Sequence, residues 1–231
     1  MKKSFILMIL FSVSMYASAS NPAGFGSARA TEPSSGSDAL TSYTSHSTWY
    51  SGAGTTELIN FDSITSGTVI TTELSSYGIS NVSGKSGQGV SVDQIVLSSS
   101  AMPFSMFTAG SLPTEPNFIS NNMTSPFYAY GSITFELSQP ATAIGAYIAD
   151  GYPLDGFHIE LFNGAVSLGY ITVPSRTLPD SFVGVISDSA FDSAVFYAEN
   201  IGDSWGLDNL ELNSVSSLES GTWGSIKASC F

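Results

Sequence analysis

Asp62 follows the first strand pattern of the chain, Glu57–Phe61, and Asp208 lies at the start of the last, Leu207–Leu212. In a fold whose opening and closing strands are neighbours, these two carboxylates meet. Two ionised carboxylates held together repel, and one must take up a proton unless a cation lies between them. Calcium relieves that repulsion and takes about six to eight oxygen ligands, which backbone carbonyls with Glu57 or Asn209 would complete. The expectation is a structural calcium site of Asp62, Asp208, Glu57 and Asn209; the competing reading is that both acids cap turns at a sheet edge. A second chemistry belongs to the aromatics that fall outside any strand alternation, Trp205, Tyr152, Tyr128 and Tyr130, beside Phe104, Phe107 and Phe127. Rings on loops stack on sugars, which makes the first four the candidate ligand-binding residues for an extracellular glycan. The alternative is that they cover the edges of the core.

Catalytic sets are scarce. The chain has two histidines: His46, in a Ser/Thr-rich stretch, and His158, on the predicted wet face of a strand. Neither a zinc site nor a Ser-His-Asp triad can be assembled from histidines so placed. Gly84-Lys85-Ser86 has the ending of a phosphate loop, but Ile79 stands where its first glycine belongs and no helix follows. A glycosidase needs two carboxylates facing one cleft. Glu136 and Glu160 are single acids on their strands, and strict alternation puts Asp208 and Glu211 on opposite faces. The chain is therefore expected not to be an enzyme, with a glycosidase as the second alternative.

The elements that would position these residues are strands. Short runs of β-branched and aromatic residues recur between turn residues, at Glu57–Phe61, Thr68–Thr72, Ile79–Val82, Val90–Leu97, Ser132–Leu137, Ala143–Ile148, Phe157–Phe162, Ser167–Val173, Phe182–Ile186, Ser193–Tyr197 and Leu207–Leu212. In Ile133-Thr134-Phe135-Glu136-Leu137 and in Phe157-His158-Ile159-Glu160-Leu161 the odd positions are apolar, the period of a half-buried antiparallel strand. Asn163-Gly164 between two such runs is a hairpin signal. Helical crossovers are missing, so the expected class is all-β, a two-sheet antiparallel β-sandwich of jelly-roll type.

The ends read differently. Residues 1–19 have the form of a signal peptide, with basic Lys2 and Lys3, an apolar run from Phe5 to Val13 and a small-x-small site at Ala17-Ser18-Ala19. That run is shorter than the roughly 20 residues needed to span a bilayer, so the mature chain is not expected to be an integral membrane protein. Residues 20–55, rich in Ser, Thr and Gly, read as a flexible leader, 56–213 as the sandwich, and 214–231 as a tail in which Trp223, Ile226 and Lys227 share a helical spacing that sorting machinery would read. The single cysteine, Cys230, precludes an intrachain disulfide and leaves a plain tail thiol or an intermolecular link. A net charge of −13 repels phosphate backbones and argues against nucleic acid. Charged residues make up only 11% of the chain, so its solubility rests on Ser, Thr, Asn and Gly.

Phe61-Asp62-Ser63-Ile64-Thr65-Ser66-Gly67-Thr68 resembles the F-D-x-hydrophobic-x-x-G-T opening of many secreted bacterial sandwich domains. Tyr77-Gly78-Ile79, Gly131-Ser132-Ile133-Thr134-Phe135, Pro140 to Gly145, Phe182-Val183-Gly184-Val185 and Trp205-Gly206-Leu207-Asp208-Asn209-Leu210 resemble their later motifs in the same order. The likeness spans about Leu58 to Leu212. Such domains occur in exported proteins with a PEP-CTERM sorting tail and are similar to galactose-binding-like modules, in which calcium sites of this kind recur. The chain lacks the Pro-Glu-Pro tail itself; its ending resembles a T-W-G-x-I-K-A ending of other exported proteins. The resemblance implies a secreted or cell-surface, non-catalytic module, with carbohydrate binding as the leading function and a structural role in envelope or extracellular matrix as the alternative.

Overall fold

The computed structural model describes residues 39–86, 89–98, 114, 116–121, 131–149, 157–173, 182–198 and 205–214. They form β1 (Leu40–Tyr43), α1 (His46–Ala53), β2 (Glu57–Ile59), β3 (Val69–Ile70), β4 (Ile79–Ser86), β5 (Ser91–Val92), β6 (Gln94–Ser98), β7 (Asn117–Asn121), β8 (Gly131–Ala149), β9 (Phe157–Asn163), β10 (Val166–Val173), β11 (Phe182–Ala198) and β12 (Gly206–Ser214). The class is all-β, and every described strand pair is antiparallel. The strands join into one continuous 12-stranded sheet.

Two strands carry that continuity. β8 merges the runs expected at Ser132–Leu137 and Ala143–Ile148, and β11 merges those at Phe182–Ile186 and Ser193–Tyr197. The first half of β8 lies between β4 and the second half of β11; its second half lies between β12 and the first half of β11. The core-facing parity changes on the way. Ile133, Phe135 and Leu137 face the core before the exposed Ser138-Gln139-Pro140, and Ile144, Ala146 and Ile148 face it afterwards. Pro140, with no N–H to give to a ladder, stands where the face switches. β11 switches in step, from Val183 and Val185 to Ala194 and Phe196, with a register shift between. Core residues therefore remain cross-strand partners on both sides of the bend: Ile144 with Val185, Ala146 with Val183, Phe135 with Ala194 and Ile133 with Phe196. Phe135 and Phe196 meet edge to face at 5.8 Å, a favoured geometry for neighbouring rings. The Asn163-Gly164 hairpin forms as predicted, with Asn163 paired to Val166 and Gly164 at φ 57°.

The leader expected through residue 55 ends earlier. β1 adds to β11, from Leu40 opposite Ser187 to Tyr43 opposite Gly184. α1 then lies on the outer face of the sheet. Its sequence, HSTWYSGA, has poor intrinsic helix formers, and an eight-residue helix has little stability of its own. What holds it is the pair Trp49 and Ala53, one helical turn apart and both buried. They form a second apolar cluster with Ala143 and Phe182, flanked by Tyr43, Tyr147 and Ile186. Trp49 has a prepared seat. Gly145 and Gly184 are cross-strand partners, and a Cβ at Gly184 would come within 2.6 Å of Trp49 Cδ1. The absent side chains leave a flat slot for the indole, whose Nε1 donates to the Val185 carbonyl at 3.3 Å.

Candidate functional site

The predicted meeting of the strand that starts at Glu57 with the last strand occurs. β2 pairs with β12, Ile59 opposite Leu210 and Glu57 opposite Leu212. Continuing past Ile59 brings Asp62 toward Asp208, close enough for its charge to act on that carboxyl. The same register removes Glu57 from the set: in an antiparallel pair it lies toward the opposite end, exposed, so the expected Glu57 ligand is corrected.

A bulge shapes the remainder. The pairing of β12 with β8 shifts between Asp208 and Glu211, and Asn209 has φ 47°, the one positive value at a non-glycine among the described residues. Asn tolerates this left-handed conformation better than most residues, and an extra residue in one strand re-aims the side chains around it. Leu207, Leu210 and Leu212 all face the core, which leaves Asp208, Asn209 and Glu211 off the core-facing row. The opposite facing expected of Asp208 and Glu211 is therefore corrected; strict alternation fails by the one bulged residue.

Oxygen atoms gather at the bulge. Thr114 Oγ1 lies 3.4 and 3.2 Å from the two Asp208 carboxylate oxygens and 3.1 Å from Asn209 Oδ1. One hydroxyl proton cannot serve three acceptors. Asp208 also accepts from the Asn209 N–H at 2.7 Å and the Thr114 N–H at 3.3 Å. Asp62 accepts from the Asn117 N–H at 3.1 Å, while the Asn117 side-chain amide donates to the Ile64 carbonyl at 2.9 Å. Asp208 is fully buried, and that burial pushes its pKa up to about 6; hydrogen bonds from Asn209 and Thr114 pull the other way, and the Asp62 charge adds to the rise. Among the described residues no three His, Cys, Asp or Glu side chains gather as a metal site. The cluster is instead two carboxylates with neutral oxygens, a hard-cation donor set, and its acceptors outnumber its donors.

The histidines are both built into the structure. His46, expected in a flexible leader, donates from Nε2 to Glu211 Oε1 at 2.6 Å, and Thr56 Oγ1 donates to Glu211 Oε2 at 2.8 Å. Its ring lies among Phe182, Tyr50 and Tyr147, with centroids 5.1, 5.7 and 6.0 Å away. His158, expected on a wet face, is buried. Its cross-strand neighbours close over it: Tyr197 stacks at 4.8 Å, Tyr170 meets it edge-on at 5.4 Å, and Thr172 Oγ1 lies 3.1 Å from Nδ1. Trp205, expected to meet a ligand, is only 1% exposed and packs edge to face on Phe157 at 5.0 Å. It is a core residue, because it stands directly before β12 where Ser120 Oγ anchors its carbonyl at 2.7 Å. Tyr128, Tyr130, Tyr152 and Cys230 lie outside the described residues, as do the signal, the tail and most of the leader.

A cavity of about 370 Å³ opens where β5 leaves β4 and the chain crosses to β6. β5 pairs with β4 only at Gly84 with Val92 and Lys85 with Ser91, while β6 pairs with β3 and β7. The gap between these ladders is lined by Asn81, Ser83, Lys85, Asp93, Gln94 and Thr134. The Gln94 amide is buried at its floor and donates to the Val92 carbonyl at 3.2 Å. A Cβ at Gly84 would collide with that amide, so the glycine is what lets it lie against β4. The sequence gives no local signal for this groove, because Gly84-Lys85-Ser86 had only a phosphate loop to suggest.

No family model matches the chain, and no curated protein matches it in sequence. Among solved structures it is similar to the K2 cleaved adhesin domain of Lys-gingipain, at 15% identity and TM-score 0.44 over 69% of this chain and 99% of that one. It is similar to a family 29 carbohydrate-binding module at 16% identity and TM-score 0.27, over 57% of this chain and 88% of the module. The catalytic domain of a GH87 alpha-1,3-glucanase matches at 14% identity and TM-score 0.28, over 70% of this chain and 28% of the enzyme.

Proposed function

We propose that the chain is a non-catalytic, secreted or cell-surface module that binds glycans and is stabilised by calcium. The observation that carries the binding reading is the groove at the β4–β5 crossing. Amide and hydroxyl groups on a fixed sheet edge, over the buried apolar Ile70 and Val82, match the alternation of hydroxyl and C–H faces on a sugar, and a groove of this volume takes a small ligand. A non-catalytic role fits the acids and histidines: Glu211 is held by His46 and Thr56, and His158 is closed in by its neighbours. Among the described residues no helix is long and apolar enough to cross a membrane.

Calcium fits the bulge cluster by charge and by its surplus of acceptors. Asp62 and Asp208 would supply the carboxylates, with Asn209 Oδ1 and Thr114 Oγ1 as neutral ligands. A cation bound only to the folded state stabilises it by about 2.7 kcal/mol at a hundredfold excess over its dissociation constant. A glycan array probed with the purified chain, with and without millimolar calcium, tests the function. Binding to defined glycans supports it, and a blank array rejects it. Thermal melts in EDTA and in calcium test the cation, and identical melting temperatures would remove it.

A further inference from the structure

We infer that the groove at the β4–β5 crossing selects sugars that carry a carboxylate, with Lys85 as the residue that reads the charge. This rests on the glycan reading above and names the class of glycan.

Charge distribution is the first ground. The chain has a net charge of −13, and Lys85 is the one Lys or Arg among the described residues. Acids are in excess, yet the only described ion pair is His46 with Glu211. Lys85 is exposed and pairs with no described carboxylate. In a negatively charged molecule an anionic ligand is repelled nearly everywhere, and this groove carries the one described Lys or Arg, beside the acid Asp93.

Placement is the second. Asn81, Ser83 and Lys85 alternate along β4 with the buried Val82 and Gly84, so they form one row on one face. The backbone of that row is fixed by its ladder with β8, from Asn81 opposite Glu136 to Lys85 opposite Ser132. The row ends at its cation, where β5 closes the groove. A sugar lying along it meets an amide, a hydroxyl and then an ammonium, the order that hydroxyls and a terminal carboxylate require. Thr134, the cross-strand partner of Ser83, extends the row, and Gln94 lines the cavity from the Gly84 side of β4. Asp93, between β5 and β6, lines the same cavity, where it would accept from sugar hydroxyls and repel a second anionic group. A phosphate dianion would meet that repulsion with one cation to offset it, so a singly charged carboxylate is the better match.

The test uses a galacturonic acid trisaccharide and its methyl ester, which share a shape and differ in charge. Calorimetric titration of the purified chain should give tighter binding of the acid, on the order of fivefold, with the preference shrinking as salt rises. Lys85→Gln should erase the preference by bringing acid binding down to that of the ester, while Asn81→Ala should weaken both ligands. Melting curves that match the parent confirm that the exposed substitution leaves the fold intact. Equal binding of acid and ester, or a preference that survives Lys85→Gln, overturns the carboxylate assignment and leaves the glycan reading standing. If neither trisaccharide binds, the assignment falls as well, and the array then decides separately whether the groove takes neutral glycans.

Discussion

Asp208 and Glu211 lie three positions apart on β12, both off the core-facing row and both almost wholly buried. Their company differs. Glu211 meets an imidazole at 2.6 Å and a hydroxyl at 2.8 Å. Asp208 meets amides, a shared hydroxyl and the charge of a second acid, and its pKa is pushed up to about 6. Both positions face the same problem, that a carboxylate out of water needs groups to replace its hydration. At Glu211 the protein supplies a ring N–H and a hydroxyl from a segment more than a hundred residues away in the chain. At Asp208 it supplies amides and a hydroxyl shared with Asn209, beside a second acid.

The largest way to break this contrast is to undock the arm that carries His46. Trp49→Ala empties the slot over Gly145 and Gly184, and loss of a buried tryptophan costs about 3–5 kcal/mol. A large drop in melting temperature, with α1 newly open to limited proteolysis, is the expected result; an unchanged melting point would show that the arm contributes nothing to stability.

Asp208→Asn acts on the other acid. Asp208 titrates near 6 in the fold against an ordinary 3.8, so between those values the folded chain keeps a proton that the unfolded chain has released. Stability therefore falls as pH rises from about 4 to about 6, and the ionised form without metal is penalised by on the order of 3 kcal/mol. In EDTA the substitution should flatten that fall and match or exceed the parent at neutral pH. In calcium the parent should recover, because the metal takes the ionised form, and the variant should not. A calcium effect that persists in Asp208→Asn would place the ion elsewhere.

Smaller effects follow at the slot and the pair. Gly184→Ala brings a Cβ against Trp49 and should cost about 1–3 kcal/mol by overpacking, seen in the denaturation midpoint. His46→Gln keeps a donor near Glu211 but loses the ring that packs among Phe182, Tyr50 and Tyr147, so about 1 kcal/mol is expected; a double substitution with Glu211→Gln should show non-additive loss.

Much of this arrangement was legible in the sequence. Alternation located the strands because each has one face on the core, and the order of the first and last strands predicted the approach of Asp62 to Asp208. It did not reveal that β8 and β11 run on through their bends, since a proline and a parity change also mark a strand's end. Residues Leu40–Ala53 were hidden by composition: Ser and Thr dominate, and Trp49 is explained only by glycines far along the chain. The bulge was hidden too, although Asp208-Asn209 is a pair that tolerates left-handed backbone. His158 was misplaced because a side chain off the core-facing row is not therefore wet when its neighbours on adjoining strands are aromatic; Trp205 was misplaced because it continues the core-facing row of Leu207 one step before the strand run that alternation marked.

The slot under Trp49 also has a consequence in time. The indole rests on β8 and β11 and bonds to Val185, 136 residues further on. A chain made from its amino end at roughly 5–20 residues per second exposes Trp49 on the order of ten seconds before its seat exists. The first described segment to be synthesised is thus among the last that can settle, and until then its tryptophan, Tyr43 and Tyr50 are open to whatever escorts the nascent chain.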